Sequence, residues 1–218
     1  MSLWAATEEW KGQDAFIVGG GSSLRDFVWD KLKGKNTIGC NDAFRLGGEV
    51  IRVCLFGDAS WFHRTKWELE KFHGRVISCA PSLVHLGLPW VFKMSRVRDR
   101  LQVSGPTLAW NYSTGAAALN LAVLLGAVRI FLLGFDMKRG EDGKSHWHPH
   151  RHKPTEDVSF ARFQKGFKCL AASLASLRPD VEILNVTDGT SKLTVFPAIT
   201  FERLNLILET PVLREVVV

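Results

Sequence analysis

The chain has 218 residues, of which 46% are hydrophobic and 23% are charged, a composition that excludes an intrinsically disordered protein. A chain of this length buries enough surface to fold without disulfide or metal staples. The 28 basic and 22 acidic residues give a net charge of +6, which suits an anionic ligand, but the absence of a run of five or six basic residues argues against a nucleic-acid-binding arm.

The four cysteines stand singly and form no CxxC pair: Cys40, Cys54, Cys79 and Cys169. This spacing favours free thiols in a reducing compartment. The first residues, Met1-Ser2-Leu3-Trp4, lack the basic start and long apolar core of a signal peptide, and no apolar stretch is long enough to span a bilayer. We therefore expect a cytoplasmic protein without a membrane span, and the sequence leaves open whether it forms a homo-oligomer.

The first strong pattern in chain order is an apolar run over residues 15–18 that leads into a turn of glycines and serines, here called the glycine turn. Its members are Gly19, Gly20, Gly21, Ser22 and Ser23. Glycines after a buried strand bring backbone N–H groups close to a ligand, and a following helix N-terminus favours an anion. The turn predicts a cradle for the phosphate of a nucleotide, although a tight turn that binds nothing has the same signature. Its spacing matches neither GxGxxG nor the Walker GxxxxGK[ST].

Strands and helices alternate along the rest of the chain. Hydrophobic periodicity and capping residues predict helices at 24–32, 59–72, 113–126, 159–177 and 200–208, and strands at 36–39, 50–56, 75–79, 129–133 and 181–184, with a turn or short strand at 191–196. This alternation predicts one α/β nucleotide-binding domain over residues 1–218, a Rossmann-like three-layer sandwich with a mostly parallel sheet. Segments 80–110 and 138–157 are expected as a lid or loop excursions over the site.

Polar residues follow several predicted strands at the point where each strand ends. Asn41, Asp58 and Asp136 take such positions, as the glycine turn does. Ligands of open α/β sheets bind beyond the carboxyl ends of the strands, so these residues predict one binding site. Each residue also has a structural interpretation: Asn41 and Asp136 can close turns through backbone hydrogen bonds, and Asp58 can cap the helix that follows it.

Four short motifs carry a family resemblance. They are residues 19–24, Cys40-Asn41, Ser113-Thr114-Gly115 with the apolar helix behind it, and the strand that ends in Gly134-Phe135-Asp136. In this order they resemble the G-x-G-P-S-L turn, the Cys-Asn pair, the T-S-G helix start and the G-x-D strand end of the bacterial lipooligosaccharide sialyltransferases. His152 lies where that family has its catalytic histidine. The resemblance extends to the archaeal hydroxymethylpterin pyrophosphokinase-like proteins and, at 146–148 and 181–196, to uncharacterised phage proteins.

The resemblance implies that the matched positions bind a CMP-activated sugar without a metal. Asn41 would contact the donor, Ser113, Thr114 and Gly115 would meet its phosphate or sugar, and His152 would be the general base. The chain departs from the family at Gly20, which replaces an asparagine, and at two phosphate-binding tyrosines that have no counterpart, since the single tyrosine, Tyr112, lies elsewhere. The substitutes that could stabilise the leaving group are Lys138, Arg139 and the loop histidines.

Four histidines alternate with other residues in the polar loop: His146, His148, His150 and His152. An imidazole titrates near neutrality and can take the proton of a hydroxyl, which makes His152, or His148 in its place, the predicted catalytic base. Alternate residues of an extended segment can also face one ion, so His146, His148 and His152 form an alternative Zn²⁺ site. A solvated loop whose histidines have no role is the third interpretation.

These observations together predict a glycosyltransferase-like enzyme of sialyltransferase type. It would move a sugar from a nucleotide-activated donor to a hydroxyl of an acceptor glycan or small molecule, and it would require no cofactor. One alternative is a pyrophosphokinase or nucleotidyl-transfer enzyme with Mg²⁺ held by Asp58 and Asp136. Another is a non-catalytic phage protein that binds a nucleotide or glycan.

Overall fold

The computed structural model describes residues 2–98, 100–149 and 155–210. Its strands are β1 (Asp14–Val18), β2 (Thr37–Cys40), β3 (Val53–Phe56), β4 (Arg75–Ser78), β5 (Val91–Lys93), β6 (Ser95–Val97), β7 (Thr107–Ala109), β8 (Arg129–Leu133), β9 (Glu182–Val186) and β10 (Ala198–Ile199). Its α-helices are α1 (Ala59–Leu69), α2 (Thr114–Leu124), α3 (Asp157–Leu177) and α4 (Phe201–Glu209).

Eight of these strands form one parallel sheet in the order β10-β9-β8-β1-β2-β3-β4-β5. In its centre, Ile17 of β1 pairs with Ile38 of β2 on one side and with Leu132 of β8 on the other. The central strands read as continuous apolar runs because a parallel sheet of this kind is buried on both faces. The predicted α/β fold with a mostly parallel sheet is confirmed.

Alternate side chains of the strands pack into two different apolar layers. Ile17 and Leu132 lie on the face that α2 and α3 cover, together with the largest hydrophobic cluster. Phe16 and Phe131 lie on the opposite face, where their rings stack at a centroid distance of 5.0 Å and share a cluster with Leu204 of α4. Helix α1 covers the β3 and β4 end of that same face. The result is the predicted three-layer sandwich.

The predicted helix at 24–32 is wrong. The segment forms two short 3-10 helices, Ser22–Leu24 and Trp29–Leu32, separated by an extended Val28. The Phe27 ring lies edge-on to Trp29 at 5.0 Å and also contacts Phe201 of α4 at 5.9 Å. Aromatic packing against a distant helix therefore fixes the backbone here and overrides the local helical periodicity.

Segment 80–110 contributes to the framework as well as to the surface. Strand β5 joins the edge of the main sheet beside β4, and β6 and β7 form a separate parallel pair. The last strand, β10, lies at residues 198–199 and not within 191–196. In the segments that the structure describes, no helix has both the length and the apolar character of a membrane span.

Candidate functional site

The candidate site lies at the carboxyl edge of the sheet, where the chain order reverses around β1. Strand β1 is flanked by β2 on one side and by β8 on the other, and a crevice at such a switch point is the usual ligand site of an open α/β sheet. A cavity of about 340 Å³ opens there. Its lining includes nine residues that the sequence analysis selects: Gly19, Gly20, Gly21, Asn41, Asp58, Ser113, Thr114, Gly115 and Asp136.

The other predicted residues have different positions. Ser22 and Ser23 belong to the short 3-10 helix after the turn and do not line this cavity. His146 lines it, whereas the His148 ring lies tilted by 34° to the His146 ring at a centroid distance of 5.1 Å. His152 lies outside the described residues, so the predicted catalytic histidine stays a prediction.

The glycine turn is built around a carboxylate of the chain itself. Asp136 Oδ2 accepts a hydrogen bond from the backbone N–H of Ser23 at 2.9 Å, and Oδ1 accepts one from the Ser23 hydroxyl at 2.6 Å. The Gly19 N–H donates to the carbonyl of Leu133 in β8, and the Gly21 N–H donates to the carbonyl of Gly134, both at 2.8 Å. The N–H of Ser23, which a ligand phosphate would otherwise use, is therefore occupied by Asp136.

Residues 146–148, here called the histidine strap, are fastened to the glycine turn. The backbone N–H of Trp147 donates to the carbonyl of Gly20, and its indole Nε1 donates to the carbonyl of Gly19, both at 3.0 Å. The His146 ring lies so close to Gly20 that a Cβ there would approach its Cδ2 to 2.7 Å. Gly20 is therefore required by the close approach of an imidazole, and the strap brings that imidazole to the cavity.

The start of α2 forms the facing wall of the cavity. Ser113 is the N-cap, and its hydroxyl accepts a hydrogen bond from the Ala116 N–H at 3.4 Å. The Thr114 hydroxyl donates to Asn41 Oδ1 at 3.4 Å, and Asn41 itself has a left-handed backbone with φ of +53°. The unsatisfied N–H groups of a helix start carry a partial positive charge, which gives this wall an affinity for anions.

Asp58 has both roles that its position allows. It caps α1, since Oδ1 accepts hydrogen bonds from the N–H groups of Ser60 at 2.8 Å and Trp61 at 3.3 Å, and it also lines the cavity. Partial burial works to raise the pKa of this carboxyl, but the bonds from Ser60 and Trp61 and the nearby Arg64 guanidinium outweigh it and hold the pKa below its usual value.

Four aromatic residues that line the cavity are missing from the sequence prediction: Trp110, Tyr112, Phe160 and Phe163. Trp110 covers Gly57, where a Cβ would approach the indole to 1.9 Å, and the Arg96 guanidinium lies 4.6 Å from the centre of its ring. Tyr112, which has no counterpart among the phosphate-binding tyrosines of the resembling family, also lines the cavity. A glycine directly before Asp58 is the sequence signal that could have indicated a close approach at this strand end.

Tyr112 and its neighbour Asn111 both have positive φ angles, +60° for Tyr112 and +43° for Asn111. A non-glycine residue in this region costs about 1–3 kcal/mol, and such costs concentrate at functional sites. The kink directly precedes Ser113 and connects β7 to the start of α2. It therefore sets both the helix start and the position of the tyrosine ring at the cavity wall.

The cavity is lined by charges of both signs: the cation of Lys138 and the carboxylates of Asp58 and Asp136. Lys138 lines the cavity, whereas Arg139 instead donates to the backbone carbonyl of Thr155 at 3.1 Å. Cys40 is also part of the wall, and burial raises the pKa of its thiol to about 12, which keeps it protonated and unreactive at neutral pH. Within the described part of the chain, no group of three or more His, Cys, Asp or Glu residues is arranged to hold a metal ion. The alternative Zn²⁺ site stays a prediction because it includes His152.

Comparison with solved structures finds a similar fold in a sialyltransferase. The enzyme CstII of Campylobacter jejuni, in complex with the substrate analogue CMP-3FNeuAc, aligns over 85% of this chain and 85% of its own, with a TM-score of 0.51 and 11% sequence identity. Its complex with cytidine-5'-monophosphate aligns over 84% of this chain and 83% of that one, with a TM-score of 0.46 and 12% identity. No protein-family model and no curated protein sequence matches the chain.

Proposed function

We propose that the protein is a sialyltransferase-like glycosyltransferase, which transfers a sugar from a nucleotide-activated donor to an acceptor hydroxyl. The observation that carries this proposal is the make-up of the cavity of about 340 Å³ at the switch point. It combines a helix start, the amide of Asn41, the cation of Lys138 and the imidazole of His146 with the carboxylates of Asp58 and Asp136. The similar fold of CstII, whose complex holds CMP-3FNeuAc, supports a nucleotide sugar as the donor.

The donor phosphate is proposed to lie at the start of α2. The N-terminus of this helix, the Thr114 hydroxyl and Lys138 all favour negative charge, and all three reach the same cavity. The glycine turn is the less suitable place, because the Asp136 carboxylate already accepts the Ser23 N–H and would repel a second anion. We therefore assign the turn to the support of the histidine strap.

The nucleoside is proposed to lie toward Asn41 and Asp58. The two residues follow the adjacent strands β2 and β3, so their polar groups approach the cavity from one side. Both backbone bonds of the Asp58 cap use Oδ1, and Oδ2 is the oxygen proposed to accept a hydrogen bond from a hydroxyl or amino group of the nucleoside.

A histidine of the loop is proposed as the general base. Its imidazole takes the proton of the acceptor hydroxyl while the hydroxyl oxygen bonds to the anomeric carbon of the donor sugar. The bond from that carbon to the phosphate oxygen breaks, and the nucleotide leaves with the electron pair. Lys138 stabilises the charge that develops on the phosphate. His146 is the described histidine that lines the cavity, and His152 is the one that the family resemblance selects.

Calorimetric titration with CMP-, UDP- and GDP-sugars tests the donor site. We expect one nucleotide class to bind and Lys138→Gln to weaken that binding about tenfold, the loss expected for one charge-assisted contact. Lys168→Gln is the control, because Lys168 lies on the exposed side of α3 and lines neither this cavity nor its neighbour. A folded protein that binds none of the three classes would refute the proposal.

Transfer assays with His146→Ala, His148→Ala and His152→Ala test the base. Loss of a general base lowers the transfer rate by about 10²–10⁴-fold while donor binding persists. We expect this result for one of the three variants. Unchanged transfer rates in all three would exclude a histidine base, and an intact donor after long incubation with the wild type would favour the non-catalytic alternative.

The Mg²⁺-dependent alternative requires Asp58 and Asp136 as metal ligands. Both oxygens of Asp136 already accept hydrogen bonds from Ser23, so this carboxylate is engaged within the glycine turn. These bonds favour sugar transfer over metal-dependent pyrophosphoryl transfer. Turnover that survives EDTA agrees with sugar transfer, and turnover that EDTA abolishes would favour the alternative.

A further inference from the structure

A second cavity, of about 440 Å³, lies directly beside the proposed donor cavity. The two cavities share Tyr112, which lines both of them. Helix α3 forms the other wall of the second cavity, and Gly166 allows α3 to approach the chain closely, since a Cβ there would come within 2.7 Å of the Asn111 carbonyl oxygen.

Three cations surround this second cavity. The guanidinium carbons of Arg98 and Arg162 lie 4.7 Å and 5.7 Å from the centre of the Tyr112 ring. Lys165 follows Arg162 by three residues on α3, so both side chains lie on the same side of the helix. No Asp or Glu is among the described residues that line the cavity, and none of the three cations has an ion-pair partner in the described part of the chain.

All three side chains are exposed, so solvent screens part of their mutual repulsion, and a bound anion would offset the rest. Arginine suits this task because its planar guanidinium donates two parallel hydrogen bonds to a carboxylate or a phosphate. The Tyr112 ring holds two such groups by cation–π contacts, which reduces their freedom before a ligand arrives. The arrangement therefore has the chemistry of an anion site.

We propose that this cavity is the acceptor subsite and that the acceptor carries a carboxylate or a phosphate group. The assignment as an acceptor subsite rests on the proposed function, since it takes the neighbouring cavity as the donor site. An anionic group held by Arg98, Arg162 and Lys165 leaves the rest of a sugar to extend past Tyr112. Its hydroxyl groups then point toward the donor cavity that Tyr112 also lines.

Calorimetric titration of the full chain at low salt tests this subsite with three probes: galacturonic acid, galactose 6-phosphate and galactose. The first two carry the carboxylate and the phosphate, and the third is neutral. We expect an anionic probe to bind about tenfold more tightly than galactose. Whichever of galacturonic acid and galactose 6-phosphate binds more tightly shows whether the acceptor carries a carboxylate or a phosphate. The double variant Arg162→Gln/Lys165→Gln should lose that advantage, whereas Lys71→Gln/Lys168→Gln, which removes the same charge elsewhere, should keep it.

Equal binding of all three probes, or an equal loss in both double variants, would overturn the subsite. If the glutamine variant fails to fold, the variant Arg162→Lys/Lys165→Arg preserves the charge and is expected to retain the preference for anions. Titration of a nucleotide sugar into the same variants separates the two proposals. If Arg162→Gln/Lys165→Gln binds the nucleotide sugar as the wild type does but loses the preference for anions, the subsite is distinct from the donor site. A wild type that binds the anionic probes but no nucleotide sugar would refute the acceptor assignment along with the proposed function.

Discussion

Three glycines at the site are required by side chains that touch them. A Cβ at Gly20, Gly57 or Gly115 would approach the rings of His146, Trp110 or Phe135 to 2.7 Å, 1.9 Å and 2.3 Å. None of the three has a positive φ, so these glycines serve close approach and not an unusual backbone conformation. Each one lets an aromatic ring lie directly on the backbone beside the cavity.

Gly20→Ala should displace His146 and weaken donor binding about tenfold or more, because the added methyl group takes the space of the imidazole. A double-mutant cycle with His146→Ala gives the control. In the His146→Ala background the same methyl group meets no ring, so Gly20→Ala should leave the melting temperature and the binding constant nearly unchanged. Equal effects in both backgrounds would show that the contact between the two residues does not matter.

The helix cap formed by Asp58 should make the free energy of unfolding depend on pH in the acid range. The pKa of Asp58 in the folded state lies below the ordinary value of 3.8, so the cap contributes fully above that pH and is lost as the pH falls through the folded-state pKa. Asp58→Ala should cost about 1 kcal/mol near neutral pH, and that difference from the wild type should shrink in acid. Urea unfolding between about pH 2.5 and about pH 6 measures it. The asparagine of the Asp58→Asn variant can also cap the helix but does not titrate, so this variant should stay more stable than Asp58→Ala over the whole pH range. A difference between the wild type and Asp58→Ala that grows in acid would contradict the assignment.

At the scale of elements, α2 connects the core to the site. It packs against the sheet as an almost wholly apolar helix, and its polar residues are Thr114 at the start and Asn120, which is fully buried. Its Oδ1 accepts hydrogen bonds from the N–H groups of Gln102 at 3.1 Å and Ala109 at 2.8 Å, and its Nδ2 donates to the Gln102 carbonyl at 2.7 Å. One amide thus holds β7 and the segment before it against the helix whose start forms the cavity wall.

Asn120→Leu should destabilise the protein by about 3 kcal/mol, because the buried N–H of Ala109 and the partly buried N–H and carbonyl of Gln102 lose their partner. Gln102→Ala is the matched control. Its backbone still bonds to Asn120 and its side chain only reaches the carbonyl of Arg100, so it should cost less than about 0.5 kcal/mol. Chemical unfolding of both variants measures the difference, and a leucine variant as stable as the control would contradict this role.

Elements were predictable where the local pattern and the burial agree. The run that ends in Val18 and the strand Arg129–Leu133 are apolar because both faces of the sheet are covered, and both are where the sequence predicts them. The prediction of a helix at 24–32 is wrong because the contact between Phe27 and Phe201 joins residues that lie 174 positions apart in the chain. No local periodicity contains that contact.

At the scale of the whole molecule, the site is a meeting of loops from one edge of the sheet. The sequence predicts nine of the residues that line the cavity, since polar residues after parallel strands must reach the same edge. It does not predict which polar groups of the site already form hydrogen bonds within the chain and are therefore not available to a ligand. The bonds of Asp136 to Ser23 span 113 residues, and the position of Tyr112 depends on a kink that only the packed structure defines.

Hydrogen–deuterium exchange with and without the nucleotide sugar selected by calorimetry tests most directly whether these loops form one donor site. If they do, the nucleotide sugar should slow the exchange in all four of the peptides that cover residues 19–23, 40–42, 113–116 and 145–149. Slower exchange confined to one of these segments would contradict a single donor site. So would slower exchange that appears only around the separate cavity between Phe27 and Phe201.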